Sequence, residues 1–334
     1  MASCSNKKLS ILYILKILQE YSDEKHLLTQ QDIVKKLYSI YGLECERKSI
    51  GASLDSLEDF GYDIIKTNKG CYLGAREFEP SEISFLVDAI FSSKTLNSRQ
   101  AKDLADKLSQ FLSNYEKKKY KYIYKSNEIS RADNKQLFYN IEIINEAIEN
   151  GKQVKFTYNK YGIDKQLHAR QNGRDYLVNP YFMVNSQGKY YLVCNYDYFD
   201  EIANYKIEQI SNIQIVDAKV KPIKKLKNCE NGIDISKYIN ENIYMFGGKT
   251  ISATFKIDND WGVNQIIEWF GNNVKIYEKD NIIYANVQAN ENALIYWSLQ
   301  YGQSIELIEP KETRKEINKI VNILRDRYKG DKND

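Results

Sequence analysis

Residues 176–197 read YLVNPYFMVNSQGKYYLVCNYD, two apolar runs on either side of the polar turn SQGK at 186–189. In the second run Tyr191 and Val193 fall on one face and Tyr190 and Leu192 on the other, which is the period of a β-strand. Outward from this stretch the pattern continues. QVKFTYNK at 153–160, RDYLVNPYFMVN at 174–185, ANYKIEQI at 203–210 and NIQIVDAKV at 212–220 are short and β-rich, with turns such as QNGR at 171–174 between them. Several short strands at this spacing predict a small antiparallel barrel. A helix over NKQLFYNIEIINEAIENG at 134–151 precedes it, and the lysine-rich KVKPIKKLKN at 219–228 follows as an exposed linker.

Upstream the period changes to that of helices. Leu9, Leu12, Ile14, Leu15 and Leu18 recur at helical spacing. Thr29 is placed as the N-cap of a second helix, with Ile33, Val34 and Leu37 inward. In CERKSIGASLDSLEDFG at 45–61, Ile50, Leu54 and Leu57 share one face and Gly61 is the stop. YDIIKTNKGCYLG at 62–74 then reads as a hairpin around a polar turn. Three short helices and a hairpin predict a winged helix-turn-helix, with the third helix in the major groove and the hairpin beside the backbone. Residues 76–135 read as a helical connector. Pro80 and Ser81 start one helix, and Leu104, Leu108, Phe111 and Leu112 line one side of the next. The lysines at 117–121 alternate with Tyr120, Tyr122 and Tyr124 and are expected to form a solvated face.

Beyond the linker the order is strand, helix, hairpin, helix, strand. ISATFKID, WGVNQIIEWFG, NVKIYEK with IIYANVQA, NENALIYWSLQYG and SIELIEP follow one another from 251 to 310. This order predicts a ferredoxin-like sandwich closed by a helix over 313–328.

Composition bounds the function. With 334 residues, 43% of them hydrophobic, the chain has material for several folded cores, and wholesale disorder is excluded. It contains no run of about eighteen uncharged apolar residues, so no membrane span is expected, and no small-residue cleavage site follows the apolar N-terminal run. A cytoplasmic protein is the expectation. Five scattered cysteines include no CxxC pair, and His26 and His168 lie far apart with no acid or cysteine at metal-ligand spacing. No metal, cofactor or enzymatic activity is expected. GGKT at 247–250 is not a phosphate-binding loop, because the required earlier glycine is Ile243. Residues 1–75 carry ten Lys/Arg and ten Asp/Glu, so DNA binding depends on where the charges sit. The chain also holds 27 tyrosines, each with a face for stacking and a hydroxyl for hydrogen bonding.

Three family resemblances follow from these motifs. RKSIGASLDSLEDFGYDIIKTNKGCYLG at 47–74 resembles the DeoR-like winged helix. Arg47, Lys48, Ser49 and Ile50 stand where that pattern opens its recognition helix, Leu54 and Leu57 where it packs, and Gly61, Tyr62 and Ile64 where it enters the wing. Gly51, Ala52 and Ser53 replace large or charged residues, which leaves a short base-reading set and room at Gly51 for close approach to DNA. The opening stretch resembles a WYL domain. Pro180 matches, Tyr190, Tyr191 and Leu192 stand for Trp-Tyr-Leu, and the later strand keeps Tyr205, Lys206, Ile207 and Ile210. Ala203, Lys206 and Gln209 replace that strand's three arginines, so phosphate recognition would rest on the point charge of Lys206. Either Glu208 or a ligand phosphate is its expected partner. Leu294, Trp297, Tyr301, Gly302, Glu306, Pro310 and Arg314 resemble the extension that follows WYL domains.

Together the resemblances imply an α+β multidomain transcription regulator, bacterial and ligand-responsive. Its expected parts are a winged helix-turn-helix over 1–75, a connector over 76–134, a small Sm-like antiparallel WYL barrel over 135–222, a linker over 223–245 and a ferredoxin-like extension over 246–330. Arg47, Lys48, Ser49 and Ser53 are expected at the major groove, with Lys66 and Lys69 on the wing at the backbone. Tyr158, Tyr181, Tyr190, Asn195 and Lys206 are expected to hold a nucleic-acid or nucleotide effector. A homodimer on an inverted-repeat operator, acting as a repressor, completes the expectation. The alternative is an accessory factor that binds RNA or single strands through its tyrosine-rich surface, the winged helix serving dimerisation or protein contact.

Overall fold

The computed structural model describes residues 9–93, 95–119, 136–272 and 274–329. Tyr120, Tyr122 and Tyr124 of the lysine–tyrosine run lie outside the described residues. The chain divides into two compact units, 1–133 and 134–334. Both mix helices with antiparallel sheet, an α+β multidomain protein.

In the first unit, α1 (Ser10–Tyr21), α2 (Gln30–Tyr41) and α3 (Arg47–Phe60) precede a hairpin of β1 (Ile64–Thr67) and β2 (Gly70–Leu73). Thr29 caps α2 in a reciprocal box. Its hydroxyl accepts from the Asp32 backbone N–H, and the Asp32 carboxylate accepts from the Thr29 N–H. Gly42 and Gly61 end α2 and α3 in the left-handed conformation that glycine adopts without strain. Ile14, Ile17, Leu18, Ile33, Leu37, Ile50, Leu54 and Leu57 form the core with Ile64 and Leu73 of the hairpin. The periodicity of α1 is turned from the expected one. Leu9 and Leu12 are exposed, and Ile17 takes the inward place.

Three connector helices complete this unit: α4 (Pro80–Ser92), α5 (Ser98–Ser109) and α6 (Asn114–Lys119). The buried face of α5 is made by Ala101 and Ala105, because Leu104 and Leu108 lie at its flank and the helix ends before Phe111 and Leu112. Arg76 ties the connector to α1. Its guanidinium donates to the carbonyl of Ser22 at 2.7 Å and to that of Gln19 at 2.9 Å.

The second unit opens with α7 (Leu137–Glu149) and then β3 (Lys152–Tyr161), β4 (Leu167–Ala169), β5 (Asp175–Ser186), β6 (Lys189–Asn195), β7 (Ala203–Lys206) and β8 (Ile210–Lys219). All pairings are antiparallel, in the order β4-β3-β5-β6-β7, with β8 also on β3. β5 serves two partners, pairing β3 before Asn179 and β6 from Asn179 onward. A register shift between Pro180 and Phe182 lets it bend there, beside a proline that has no N–H to give the ladder. β7 and β8 are joined by one 3-10 turn, Ile207–Gln209, so the strand path returns to its start. Asn140 of α7 donates to the Ile210 carbonyl at 2.9 Å and holds this corner.

After α8 (Ile235–Glu241) come β9 (Thr250–Ile257), α9 (Asp260–Phe270), β10 (Lys275–Lys279), β11 (Ile282–Asn290), α10 (Glu291–Gln300), β12 (Ile305–Glu309) and α11 (Lys311–Arg327). The four strands form one antiparallel sheet in the order β10-β11-β9-β12. Trp297 of α10 is fully buried in the core that covers this sheet, edge-on to Phe255 and Phe270 at 5.2 and 5.0 Å. The segment 219–228 is more than an exposed linker, since Leu226 is buried and Lys221 donates to the Phe199 carbonyl and pairs with Asp200.

Candidate functional site

In the first unit, α3 presents Arg47, Lys48 and Ser49 to solvent at its N-terminal end. The Arg47 Nε donates to Gln30 Oε1 at 3.1 Å, which braces the guanidinium against α2. Ser53 is half-buried, and its hydroxyl donates to the Ser49 carbonyl at 2.8 Å. A side chain at Gly51 would press on the Gln30 amide at 3.3 Å, so the glycine serves the approach of α2.

The hairpin holds one free and one engaged lysine. Lys69 is exposed at the turn. Lys66 is drawn onto α3, where its ammonium meets Asp55 at 2.5 Å and also Glu58. Hydrogen bonds to those two carboxylates hold it above the usual lysine value. The sequence places Lys66 on the wing and gives no local sign that it pairs with Glu58 of α3.

The histidines need a similar correction. His26 Nδ1 lies 2.7 Å from Asp23 and His168 Nε2 lies 2.8 Å from Asp164, because tight turns bring together residues three and four apart. Tyr115 stacks on the His26 ring at 3.5 Å and Ser113 donates to Asp23, so this pair joins α6 to the turn after α1. Burial pushes the Asp23 carboxyl up, but bonds from His26 and the Lys25 N–H outweigh it and hold the group below its ordinary value. Among the described residues no three His, Cys, Asp or Glu side chains gather as a metal site.

In the second unit a cavity of about 270 Å3 opens where β3, β6 and β7 meet residues 243–246. Tyr158, Lys189, Tyr191, Asn204 and Lys206 line one side, and Tyr244, Met245 and Phe246 the other. Lys206 is half-buried, and the Lys189 ammonium lies within its reach. Burial first, and then Lys189, pull the Lys206 amine below the usual lysine value, while the nearby carboxylate of Glu208 opposes the shift. Glu208 itself is buried on the 3-10 turn, and burial raises its carboxyl. It does not follow Lys206 along a strand, since β7 ends at Lys206. The Tyr158 hydroxyl donates to Gln209 Oε1 at 2.7 Å and accepts from the Lys206 N–H at 3.3 Å. Desolvation pushes both Tyr158 and Tyr191 up to about 12. The pocket is therefore rimmed by neutral phenols, with two cations pressed together and partly desolvated, an arrangement that an anion would relieve.

The structure brings Tyr158 and Lys206 together and places the other three expected pocket residues elsewhere. Tyr181 falls at the register shift of β5, and its one hydroxyl proton is shared between Asn195 Oδ1 at 3.1 Å and the Lys221 carbonyl at 3.0 Å. Asn195 is fully buried in a satisfied network with Asn179, whose amide also donates to Asp197 at 2.7 Å. Tyr190 points to solvent from the opposite face of β6. Lys189 and residues 243–246 carry no local sequence signal for a site. A lysine in a turn reads as solvated, and nothing local shows that a distant segment will face it.

Residues 139–215 match the family described as the WYL domain. The chain carries a WYL domain. The match runs from α7 into β8 and contains Tyr158, Lys189, Tyr191 and Lys206. No curated protein matches the sequence. Among solved structures, the proteasome accessory factor B/C (PafBC) of Arthrobacter aurescens is similar at 13% identity and a TM-score of 0.30, over 96% of this WYL-domain chain and 49% of that one. This chain thus spans about half the length of PafBC. A CRISPR Cas-related protein is similar at 14% identity and a TM-score of 0.39, over 98% of this chain and 87% of that one. Among the described residues no helix is long and apolar enough to cross a membrane.

Proposed function

We propose that this WYL-domain protein is a sequence-specific DNA-binding transcription regulator, a dimer on an inverted repeat, whose WYL pocket binds a phosphate-bearing nucleic-acid or nucleotide effector. α1–α3 with the β1–β2 hairpin are read as a winged helix-turn-helix. The ring of β3, β5, β6, β7 and β8 is read as an Sm-like barrel, and the β10-β11-β9-β12 sheet as the ferredoxin-like extension. The observation that carries the reading is the pair Lys189 and Lys206, which converge inside the matched domain although the family's arginines are absent. Two adjacent ammonium groups in a concave, half-desolvated site favour an anion strongly.

For DNA, Arg47 is the residue for a bidentate guanine contact, with Lys48 and Ser49 beside it and Lys69 at the backbone. Repression is preferred to activation, and no catalytic step is assigned. The experiment is duplex and single-strand binding by Arg47→Ala with Lys48→Ala. Loss of duplex binding with single-strand binding intact supports a regulator, and loss of neither overturns the recognition helix. The engagement of Lys66 by Asp55 and Glu58 favours a second reading, in which α3 contacts protein and the chain binds single strands.

A further inference from the structure

Residues 22–28, between α1 and α2, are gripped from four sides. From α1, the carbonyl of Leu18 accepts from the buried Ser22 hydroxyl at 2.7 Å. From the hairpin, the Leu73 N–H donates to that hydroxyl at 3.1 Å, and Leu28 and Cys71 exchange backbone hydrogen bonds at 2.9 and 2.8 Å. Arg76, just after the hairpin, donates to the Ser22 carbonyl. From the connector come Tyr115, whose ring lies parallel to that of His26, and Ser113, whose hydroxyl donates to Asp23 Oδ2 at 3.2 Å. This short segment therefore touches the hairpin at both of its ends and α6 in its middle.

The contacts differ in kind. Those to the hairpin are backbone and hydroxyl bonds, which do not titrate. The contact to α6 passes through the Asp23–His26 pair. The turn that presents the pair is closed by its own backbone, with the His26 N–H on the Asp23 carbonyl at 3.0 Å and the Asp23 N–H on the His26 carbonyl at 3.2 Å. The start of α6 is fixed as well, since the Ser113 N–H donates to Glu116 Oε2 at 2.8 Å and the Glu116 N–H to the Ser113 hydroxyl at 3.2 Å. The charged groups around the pair are Lys25 on the turn, Arg76 beside it and Glu116 on α6. Histidine is the side chain whose ordinary chemistry changes its charge between about pH 5 and 8. Asp23 is a carboxylate throughout that range, because it is held below its ordinary value. A cationic His26 thus adds an ion pair with Asp23, and a cation on the face of Tyr115, that the neutral ring lacks.

We propose that residues 22–28 are the joint through which the connector's last described helix sets the hairpin, and that the His26–Asp23 pair is its proton-sensitive latch, closed while His26 is a cation and loosened as the proton leaves. The proposal deepens the DNA-binding reading, and rests on it only in taking the hairpin as the part that meets the DNA backbone. Loosening the latch frees α6, and the Ser22–Leu73 and Leu28–Cys71 bonds carry the change to β2.

The test is amide hydrogen exchange of the full chain without DNA, from about pH 5.5 to about pH 8 and corrected for the intrinsic rate. Exchange in α6 should quicken roughly three- to fivefold across that range, the worth of a partly exposed ion pair, and the amides of Leu28, Cys71 and Leu73 should quicken in step. His26→Gln, neutral at every pH, should stay at the fast level. Tyr115→Ala should free α6 at every pH. Protection of α6 that ignores pH in the wild-type chain, or pH dependence that survives His26→Gln, overturns the latch. Release of α6, by pH or by Tyr115→Ala, with the amides of Leu28, Cys71 and Leu73 unchanged overturns the joint. The wild-type series tests both by itself, so nothing depends on a variant that fails to fold. DNA takes no part in the measurement, so either failure leaves the duplex-binding reading to be judged by Arg47→Ala with Lys48→Ala.

Discussion

At the scale of single residues the account turns on which cations are free. Lys66 is held between Asp55 and Glu58, so removing the carboxylates should release it. Asp55→Asn with Glu58→Gln is expected to raise duplex affinity and steepen its salt dependence, because one more phosphate contact adds about one to the slope. Unchanged affinity and slope, measured across a salt series, would place Lys66 outside the DNA interface. Arg47→Ala should cost about 1–3 kcal/mol at a single base position, visible as relaxed preference there.

The pocket makes a pH prediction. Lys206 is depressed by burial and by Lys189, and Glu208 is raised by burial. An anion binds the ammonium form of Lys206, so affinity should fall as pH rises through the lowered lysine value. Protonating Glu208 removes a repelling charge, so affinity should also rise as pH falls through the raised carboxyl value. Phosphate affinity measured from acid to alkaline pH checks both, and a flat profile contradicts the arrangement of charges.

At the scale of elements, Thr29 and Trp297 carry the clearest structural predictions. Thr29→Ala removes a reciprocal cap and should cost about 1 kcal/mol. Trp297→Ala empties the core between α10 and the C-terminal sheet and should cost about 3–5 kcal/mol. Denaturant titration measures both. These elements were legible in the sequence because their signals are local: Thr29 before a periodic run, Gly61 after one, and alternating strands around SQGK. The C-terminal order of strands and helices was equally plain. What could not be read depended on distant partners. The turn at Ile207–Gln209 breaks a run that looks like one strand, and it separates Lys206 from Glu208. The register shift at Tyr181 turns that residue into a hydrogen-bonded network with Asn195, although the family resemblance puts it near the pocket. The contact of Gly51 with Gln30 of α2 is likewise set by a distant partner.

At the scale of the whole molecule, the proposal joins a DNA-reading unit over 1–133 to a sensing unit over 134–334. An effector regulates such a protein only if it binds two arrangements with different affinity, so an effector that fills the pocket must change operator affinity, and operator DNA must change effector affinity by the same factor. A net charge near zero in residues 1–75 sets a limit on non-specific attraction. Specific binding must then come from a few base contacts repeated by two-fold symmetry, because one helix reads few base pairs. The most direct measurement is selection of bound duplexes from a random library by the full chain, at near-physiological salt, with and without short single strands. The account predicts enrichment of an inverted repeat with fixed half-site spacing, in at least one of the two conditions. Failure to enrich any duplex in either condition would contradict it.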